Sequence, residues 1–196
     1  MNLITKNTDT AMYITLAYIN DGDVVIDATC GNGYDTAALS EAVGERGLVI
    51  AFDIQQKAID NTRALMEKDD RKNVVLVKDS FENMGEVIGN FTGKRPSAIV
   101  FNLGYLPYSD RGITTTVKST MRGVADALEL VRPDGIVTVT MYPGHDEGKK
   151  ERQVLLEAAR KLPADRYHVI HSVMLNGGKK SHKSPPEILF ITKKYD

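Results

Sequence analysis

The chain has 196 residues, 42% of them hydrophobic and 26% charged, a balance that excludes a disordered or fibrous protein and suits one domain with a real core. Its formal net charge of −1 excludes attraction of the whole molecule to a polyanion. One cysteine, Cys30, and four scattered His exclude an internal disulfide and a Cys-rich structural zinc site.

Helical periodicity opens the chain at about residues 8–19. Short apolar runs bounded by Gly, Asp or Asn then alternate with longer stretches of helical period. In chain order these read as strand 24–27, helix 36–43, strand 47–53, helix 55–68, strand 74–78, helix 81–88, strand 98–101, helix 115–131, strand 135–141 and helix 147–162. The alternation predicts an α/β fold, an open parallel sheet with crossover helices on both faces. At residues 132–135, Pro133 cannot continue a helix and Gly135 accepts unusual dihedrals, so a turn separates the last long helix from its strand.

The end of the chain breaks this pattern. Residues 167–175 read as a strand, 176–186 as a loop of Gly, Lys, Ser and Pro, and 187–193 as a strand. With no crossover helix between them, the two strands pair as an antiparallel hairpin. No repeat, low-complexity tract or long linker interrupts the sequence, which predicts a single domain over 1–196. Within it, 1–20 holds the first helix, 21–146 the core, and 147–196 the last helix and closing hairpin.

Charge is uneven along the chain. Residues 1–146 carry 14 Lys+Arg against 20 Asp+Glu, and residues 147–196 carry 11 against 6. A basic segment of this kind can face a nucleic acid, although Lys149, Lys150, Arg160 and Lys161 equally suit the solvated face of a helix. No apolar run approaches the roughly 18 residues of a membrane span. Residues 1–20 also lack the basic-then-apolar order of a secretion signal, so a cytoplasmic protein with no membrane partner is expected.

The first strand runs into DATCGNGYDT at residues 27–36, in the order strand, glycine turn, helix start. Backbone N–H groups at such a turn form a site for an anion. A dinucleotide-binding loop calls for Gly or Ala three residues after its second Gly. Here that position is Thr36, and Asp27 stands four residues before Gly31, giving D-x-x-x-G-x-G. Cys30 reads as a small packed side chain behind the turn, because no His lies near it in sequence.

This spacing resembles the first motif of class I S-adenosylmethionine-dependent methyltransferases. The resemblance implies a Rossmann-like, mostly parallel sheet whose antiparallel C-terminal hairpin is that family's topological mark. It implies S-adenosylmethionine as cofactor and no metal. Asp27, Thr29, Gly31, Asn32, Gly33, Asp35 and Thr36 would form the donor loop. Asp53, Ile54 and Gln55 follow the second strand, where an acidic side chain accepts from the ribose hydroxyls. Asp79 and Ser80 would lie beside the adenine, and Asn102 would close the donor site.

The fourth strand ends in NLGYLPYSD at residues 102–110. Ligands of open sheets sit outside the carboxyl ends of the strands, so this loop faces the donor methyl. The segment is similar to the Asn/Asp-Pro-Pro-Tyr motif of amino-methylating methyltransferases, with Leu103 and Gly104 in place of the two prolines. With FDIQ at 52–55, TTT at 114–116 and YPGH at 142–145, nearly the whole chain resembles the small bacterial rRNA methylase family. Its members are tRNA methyltransferases that add a methyl to the 5-aminomethyl group of a wobble 2-thiouridine. Tyr108 stands where a glycine is usual in that family, and Asp146 where a proline usually follows the His.

The resemblance implies an RNA partner, the tRNA anticodon stem-loop. Asn102 would orient the acceptor amine, Tyr105 stack on the base, and Asp110 or His145 take or relay the proton. Two rivals keep the same fold: a methyltransferase for rRNA or a small metabolite, and a non-catalytic binding module. Without a separate RNA-binding domain, recognition would rest on the first helix, the Asn102 loop, and Lys179, Lys180 and Lys183. The oligomeric state stays open, a homo-oligomer included.

Overall fold

The computed structural model describes residues 6–104, 114–176 and 184–196. In chain order it contains α1 (Asn7–Leu16), β1 (Val24–Asp27), α2 (Tyr34–Val43), β2 (Leu48–Phe52), α3 (Gln56–Lys68), β3 (Val74–Val77), α4 (Met84–Val87), β4 (Ala98–Asn102), α5 (Val117–Leu130), β5 (Ile136–Met141), α6 (Asp146–Ala159), β6 (Tyr167–Ser172) and β7 (Glu187–Lys193). Tyr105, Tyr108, Asp110, Lys179, Lys180 and Lys183 lie outside the described residues.

The strands form one sheet in the order β3-β2-β1-β4-β5-β7-β6. β1 to β5 run parallel. β7 lies antiparallel between β5 and β6, so the mostly parallel sheet ends in the expected hairpin. Successive side chains point to opposite faces. Val24 and Ile26 join Phe52, Phe101, Met84, Val124 and Leu155 in one core, beneath α4 to α6. Val25 joins Ala11, Leu39, Val49 and Ile59 in the other, beneath α1 to α3. Because helices cover both faces, central strands are buried on both sides: β2 is an unbroken apolar run, and all six residues of β5 are buried, Thr138 and Thr140 included.

Some local features depart from expectation. Residues 81–88 are not one helix: a 3₁₀ turn at Phe81–Asn83, the short α4, and a second 3₁₀ turn at Ile88–Asn90 follow one another. Gly85 and Gly89 each weaken a regular helix there. β6 stops at Ser172, short of residue 175, because its partner β7 starts at Glu187 and the last pair is Ser172 with Ile188. In the turn after α5, the left-handed residue is Asp134, φ 59°, not Gly135. Gly135 is required by space instead: a Cβ there would stand 2.7 Å from Val131 Cγ2 and 2.8 Å from the Ser97 carbonyl oxygen.

Three hydrogen bonds tie α1 to β5 and to the closing hairpin. The Thr15 and Thr138 hydroxyls hydrogen-bond at 2.7 Å inside the core. Asn7 Nδ2 donates to the Pro186 carbonyl at 2.9 Å and to the Ser172 carbonyl at 3.3 Å. Among the described residues, no helix is long and apolar enough to cross a membrane. From β1 the chain builds outward to β2 and β3 on one side and to β4 and β5 on the other. The crevice outside the carboxyl ends of β1 and β4 is therefore the switch point where such sheets take ligands.

Candidate functional site

Across this switch point the Asn102 backbone N–H donates to Thr29 Oγ1 at 2.7 Å, joining the loops after β4 and β1. A cleft of about 860 Å³ opens above them. One end is walled by the glycine loop, Asp53, Ile54, Asp79 and Ser80; the other by Asn102, Gly104, Thr115, Tyr142 and His145.

The glycine loop is held from below and from the side. The Cys30 N–H donates to the Phe52 carbonyl at 2.8 Å, and Thr62 Oγ1 donates to the Gly31 carbonyl at 3.2 Å. Gly33 has φ 84°, and a Cβ on it would meet Thr62 Cα at 3.0 Å, so this position needs glycine on both counts. Asn32 Oδ1 accepts from Asn61 Nδ2 at 2.9 Å.

Asp27, Gly33 and Thr36 do not line the cleft, a correction to their expected place around the donor. Asp27 is 0% exposed. Its Oδ1 accepts from the Thr29 N–H at 3.1 Å and its Oδ2 from the Thr36 hydroxyl at 2.6 Å. Burial, reinforced by the Asp35 charge, pushes its carboxyl up to about 7. These residues shape the loop from beneath. Cys30 is buried behind it as expected, and burial and the Asp27 charge push its thiol up, which suits packing and not nucleophilic attack.

Asp53 does face the cleft. Its Oδ2 accepts from the Gly31 N–H at 3.2 Å and its Oδ1 from the Gln55 N–H at 2.9 Å. Two backbone donors hold the carboxylate at the cleft wall, and its remaining lone pairs can accept from a diol. Burial raises its carboxyl, opposed by those N–H groups. Asp79 Oδ1 accepts from the Ser80 N–H at 2.7 Å and from Asn83 Nδ2 at 2.9 Å. Ser80 Oγ accepts from the Glu82 N–H at 3.2 Å and caps the 3₁₀ turn. Ile54 adds an exposed apolar wall, so the donor set fits a nucleoside with a free ribose.

At the other end, Asn102 Nδ2 donates to Asp35 Oδ2 at 2.8 Å. An amide facing a carboxylate must present its NH₂ group, so the Asn102 carbonyl oxygen is turned the other way. Burial raises the Asp35 carboxyl, opposed by this hydrogen bond. The loop after β4 is pinched at its base: the Gly104 N–H donates to Thr115 Oγ1 at 2.8 Å, and the Thr115 N–H donates back to the Gly104 carbonyl at 3.0 Å. Thr116 caps α5 in a reciprocal box with Ser119.

His145 caps α6, its Nδ1 accepting from the Gly148 N–H at 3.1 Å. A neutral imidazole accepts through one nitrogen only, so the ring carries its hydrogen on Nε2. The place a Cβ would take on Gly104 lies 3.9 Å from that Nε2.

Two residues were not singled out from sequence. Tyr142, 38% exposed, lines the acceptor end, and burial and then the Asp35 charge raise its hydroxyl. Its signal was its place at the head of YPGH, 142–145, directly after the fifth strand. Glu151 is buried between α5 and α6, its Oε1 accepting from the Thr120 hydroxyl at 2.6 Å; nothing in its local sequence marks it. Among the described residues, no group of three or more His, Cys, Asp or Glu is arranged to hold a metal ion.

Residues 49–192 match the family described as "Putative rRNA methylase". Residues 2–83 also match Protein-L-isoaspartate(D-aspartate) O-methyltransferase, which covers only the donor-side half. A tRNA (mnm(5)s(2)U34)-methyltransferase of Arabidopsis thaliana chloroplasts is 33% identical over 180 residues. The chain spans 65% of that protein's length, and that match takes in 87% of this chain. It spans 26% of the length of the ribosomal RNA small subunit methyltransferase H of Halothermothrix orenii, with 31% identity over 84 residues.

Among solved structures, a "putative rRNA-methylase" from Clostridium thermocellum superposes with a TM-score of 0.89 at 35% identity, covering 97% of this chain and 98% of that one. A "putative methyltransferase" from Streptococcus mutans, solved in complex with SAH, gives a TM-score of 0.83 at 27% identity, covering 97% and 99%. With a matched segment that spans most of the sequence and a fold that superposes over 97% of the chain, the chain belongs to the rRNA methylase family of methyltransferases.

Proposed function

We propose that this protein uses S-adenosylmethionine to N-methylate a primary amine on RNA, the 5-aminomethyl group of a wobble 2-thiouridine in tRNA. The observation that carries this reading is the two-ended cleft. A carboxylate held by two backbone N–H groups waits at one end, and Asn102, with its carbonyl oxygen turned outward, stands at the other. The Arabidopsis relative named for this uridine supports the target, and the SAH-bound Streptococcus relative supports the donor.

When bound, the donor supplies an electrophilic sulfonium methyl, transferred as the new N–C bond forms and the C–S bond breaks with its electron pair kept on sulfur. Asp53 accepts from the ribose hydroxyls, and Ile54, Asp79 and Ser80 border the base. An alkyl amine resembles Lys, with an ordinary pKa of about 10.4, so it must lose a proton before its lone pair can react. Asn102 Oδ1 accepts from the amine and aligns it. Tyr105 stacks on the target base. His145 serves poorly as proton acceptor in this arrangement, because its accepting nitrogen already takes the Gly148 N–H.

Mass spectrometry of tRNA and rRNA nucleosides from a deletion strain tests the reading. The unmethylated 5-aminomethyl-2-thiouridine should accumulate, and purified protein with S-adenosylmethionine should restore the methylated nucleoside in vitro. Loss of an rRNA methyl with unchanged tRNA would instead assign the ribosome as substrate.

A further inference from the structure

The described lining of the cleft carries four carboxylates, Asp35, Asp53, Asp79 and Glu82, and no Lys or Arg. These carboxylates favour a cation over a phosphate beside them. Sheet order separates these acids. Asp79 and Glu82 follow β3 at the edge of the sheet, and Asp53 follows β2; all three belong to the donor end. Asp35 alone of the four reaches across to β4, where Asn102 Nδ2 meets its Oδ2. Among the described residues, Asn102 is its side-chain hydrogen-bond donor. Among the described residues, this half-buried carboxylate has one neutral partner and no counter-charge, and it keeps lone pairs free.

We propose that Asp35 is the residue that receives the acceptor amine: it holds the group as an ammonium ion beside Asn102 and then takes its proton. The proposal rests on the amine reading above. The proton passes from R–CH₂–NH₃⁺ to the Asp35 carboxylate, leaving R–CH₂–NH₂ with its lone pair and a neutral carboxylic acid. Asn102 Oδ1 and Asp35 Oδ1 then flank the same nitrogen, because the Asn102 NH₂ is spent on Asp35 Oδ2. After transfer, Asp35 gives its proton to water and the secondary amine leaves as an ammonium ion. Burial disfavours the charged carboxylate, which makes Asp35 a better proton acceptor than an exposed acid. Among the described residues, the titratable groups facing Asp35 from neighbouring elements are Asp27 from β1 and Tyr142 from the end of β5. Both are of the acid type, and neither offers it a cation.

The test uses the full chain saturated with S-adenosylhomocysteine and two anticodon hairpins, one bearing 5-aminomethyl-2-thiouridine and one bearing 2-thiouridine. At neutral pH wild type should bind the aminomethyl hairpin roughly tenfold more tightly. Asp35→Asn should bind both hairpins alike and hold S-adenosylhomocysteine as wild type does. Its single-turnover rate should fall at least about 100-fold and then climb about tenfold per pH unit toward pH 10, since only free amine reacts. Retained preference and rate in Asp35→Asn would overturn the assignment, as would collapsed S-adenosylhomocysteine affinity in a folded variant, which would make Asp35 a donor ligand. If wild type neither prefers nor methylates the aminomethyl hairpin, the amine reading itself fails, and the role of Asp35 with it. A measurement on wild type alone covers a variant that does not fold: the preference should vanish as pH falls toward about 4, and its persistence there would overturn the proposal.

Discussion

Thr36 donates its hydroxyl hydrogen to Asp27 Oδ2 at 2.6 Å, and neither side chain reaches solvent. Burial pushes the Asp27 carboxyl up to about 7, whereas an unfolded aspartate titrates near about 3.9. Between those values the folded chain holds a proton that the unfolded chain has lost. Stability from this group is therefore fully present below about pH 4 and is lost as pH rises through about 7. At about 1.36 kcal/mol per pKa unit, the loss reaches at most about 4 kcal/mol by about pH 8. Denaturant unfolding from about pH 5 to 8 should show this decline, and Asp27→Asn should flatten it. An equally steep decline in the variant would move the effect to another group.

Asp53→Ala removes the carboxylate that the Gly31 and Gln55 N–H groups hold. Affinity for S-adenosylmethionine should weaken by about 1.5 to 3 kcal/mol, the worth of hydrogen bonds to a charged acceptor. Titration calorimetry measures it. NAD should bind neither wild type nor variant, and tight NAD binding would reassign the cleft.

Gly33→Ala sets a side chain at φ 84° and within 3.0 Å of Thr62 Cα, a combination that should cost about 1 to 3 kcal/mol in urea unfolding. Gly89→Ala is the control. A Cβ there meets nothing within 4 Å, so its stability should stay within about 0.5 kcal/mol of wild type or rise.

Tyr105→Ala should reduce RNA affinity or turnover by about 1 to 3 kcal/mol, the worth of one base stacked on an aromatic ring, with donor binding kept. Equal loss of donor and RNA binding would make Tyr105 structural.

The positive balance after residue 146 predicts a salt-dependent grip on RNA. Changing Lys179, Lys180 and Lys183 together to Ala should flatten the log–log salt slope by up to about 2 units, at about 0.7 per phosphate contact. Discrimination among tRNAs should survive, because phosphate contacts position without reading sequence. A metabolite enzyme would show a Michaelis constant insensitive to both salt and the triple change.

The donor half was legible because its signal is local: ten residues from Asp27 to Thr36 spell strand, turn and helix start. What that segment could not reveal is which of its members touch the cleft. Asp27 and Thr36 read as ligands and instead bond to each other beneath the loop, since spacing records what the turn needs, whether or not a ligand is involved. The acceptor half depends on long-range placement. Asp35 and Asn102 lie 67 residues apart and meet only because β4 packs beside β1. The same holds for Gly135, whose need for glycine comes in part from the carbonyl of Ser97, just before β4, and for Glu151, which finds Thr120 only when α5 and α6 pack together.

β7 joins two strands that both precede it in the chain. During synthesis, β5 must wait with one edge open and β6 with no strand partner until residues 187–193 have left the ribosome. At about 5 to 20 residues per second, that interval is seconds long, and an open apolar edge is the surface on which nascent chains stick to one another. Asn7 hydrogen-bonds to Ser172 and Pro186, so the first helix cannot seat its amino end before that strand arrives either. Proteolytic trimming into β7 would therefore take out an inner strand of the sheet, leaving β6 unanchored and the first helix without its dock.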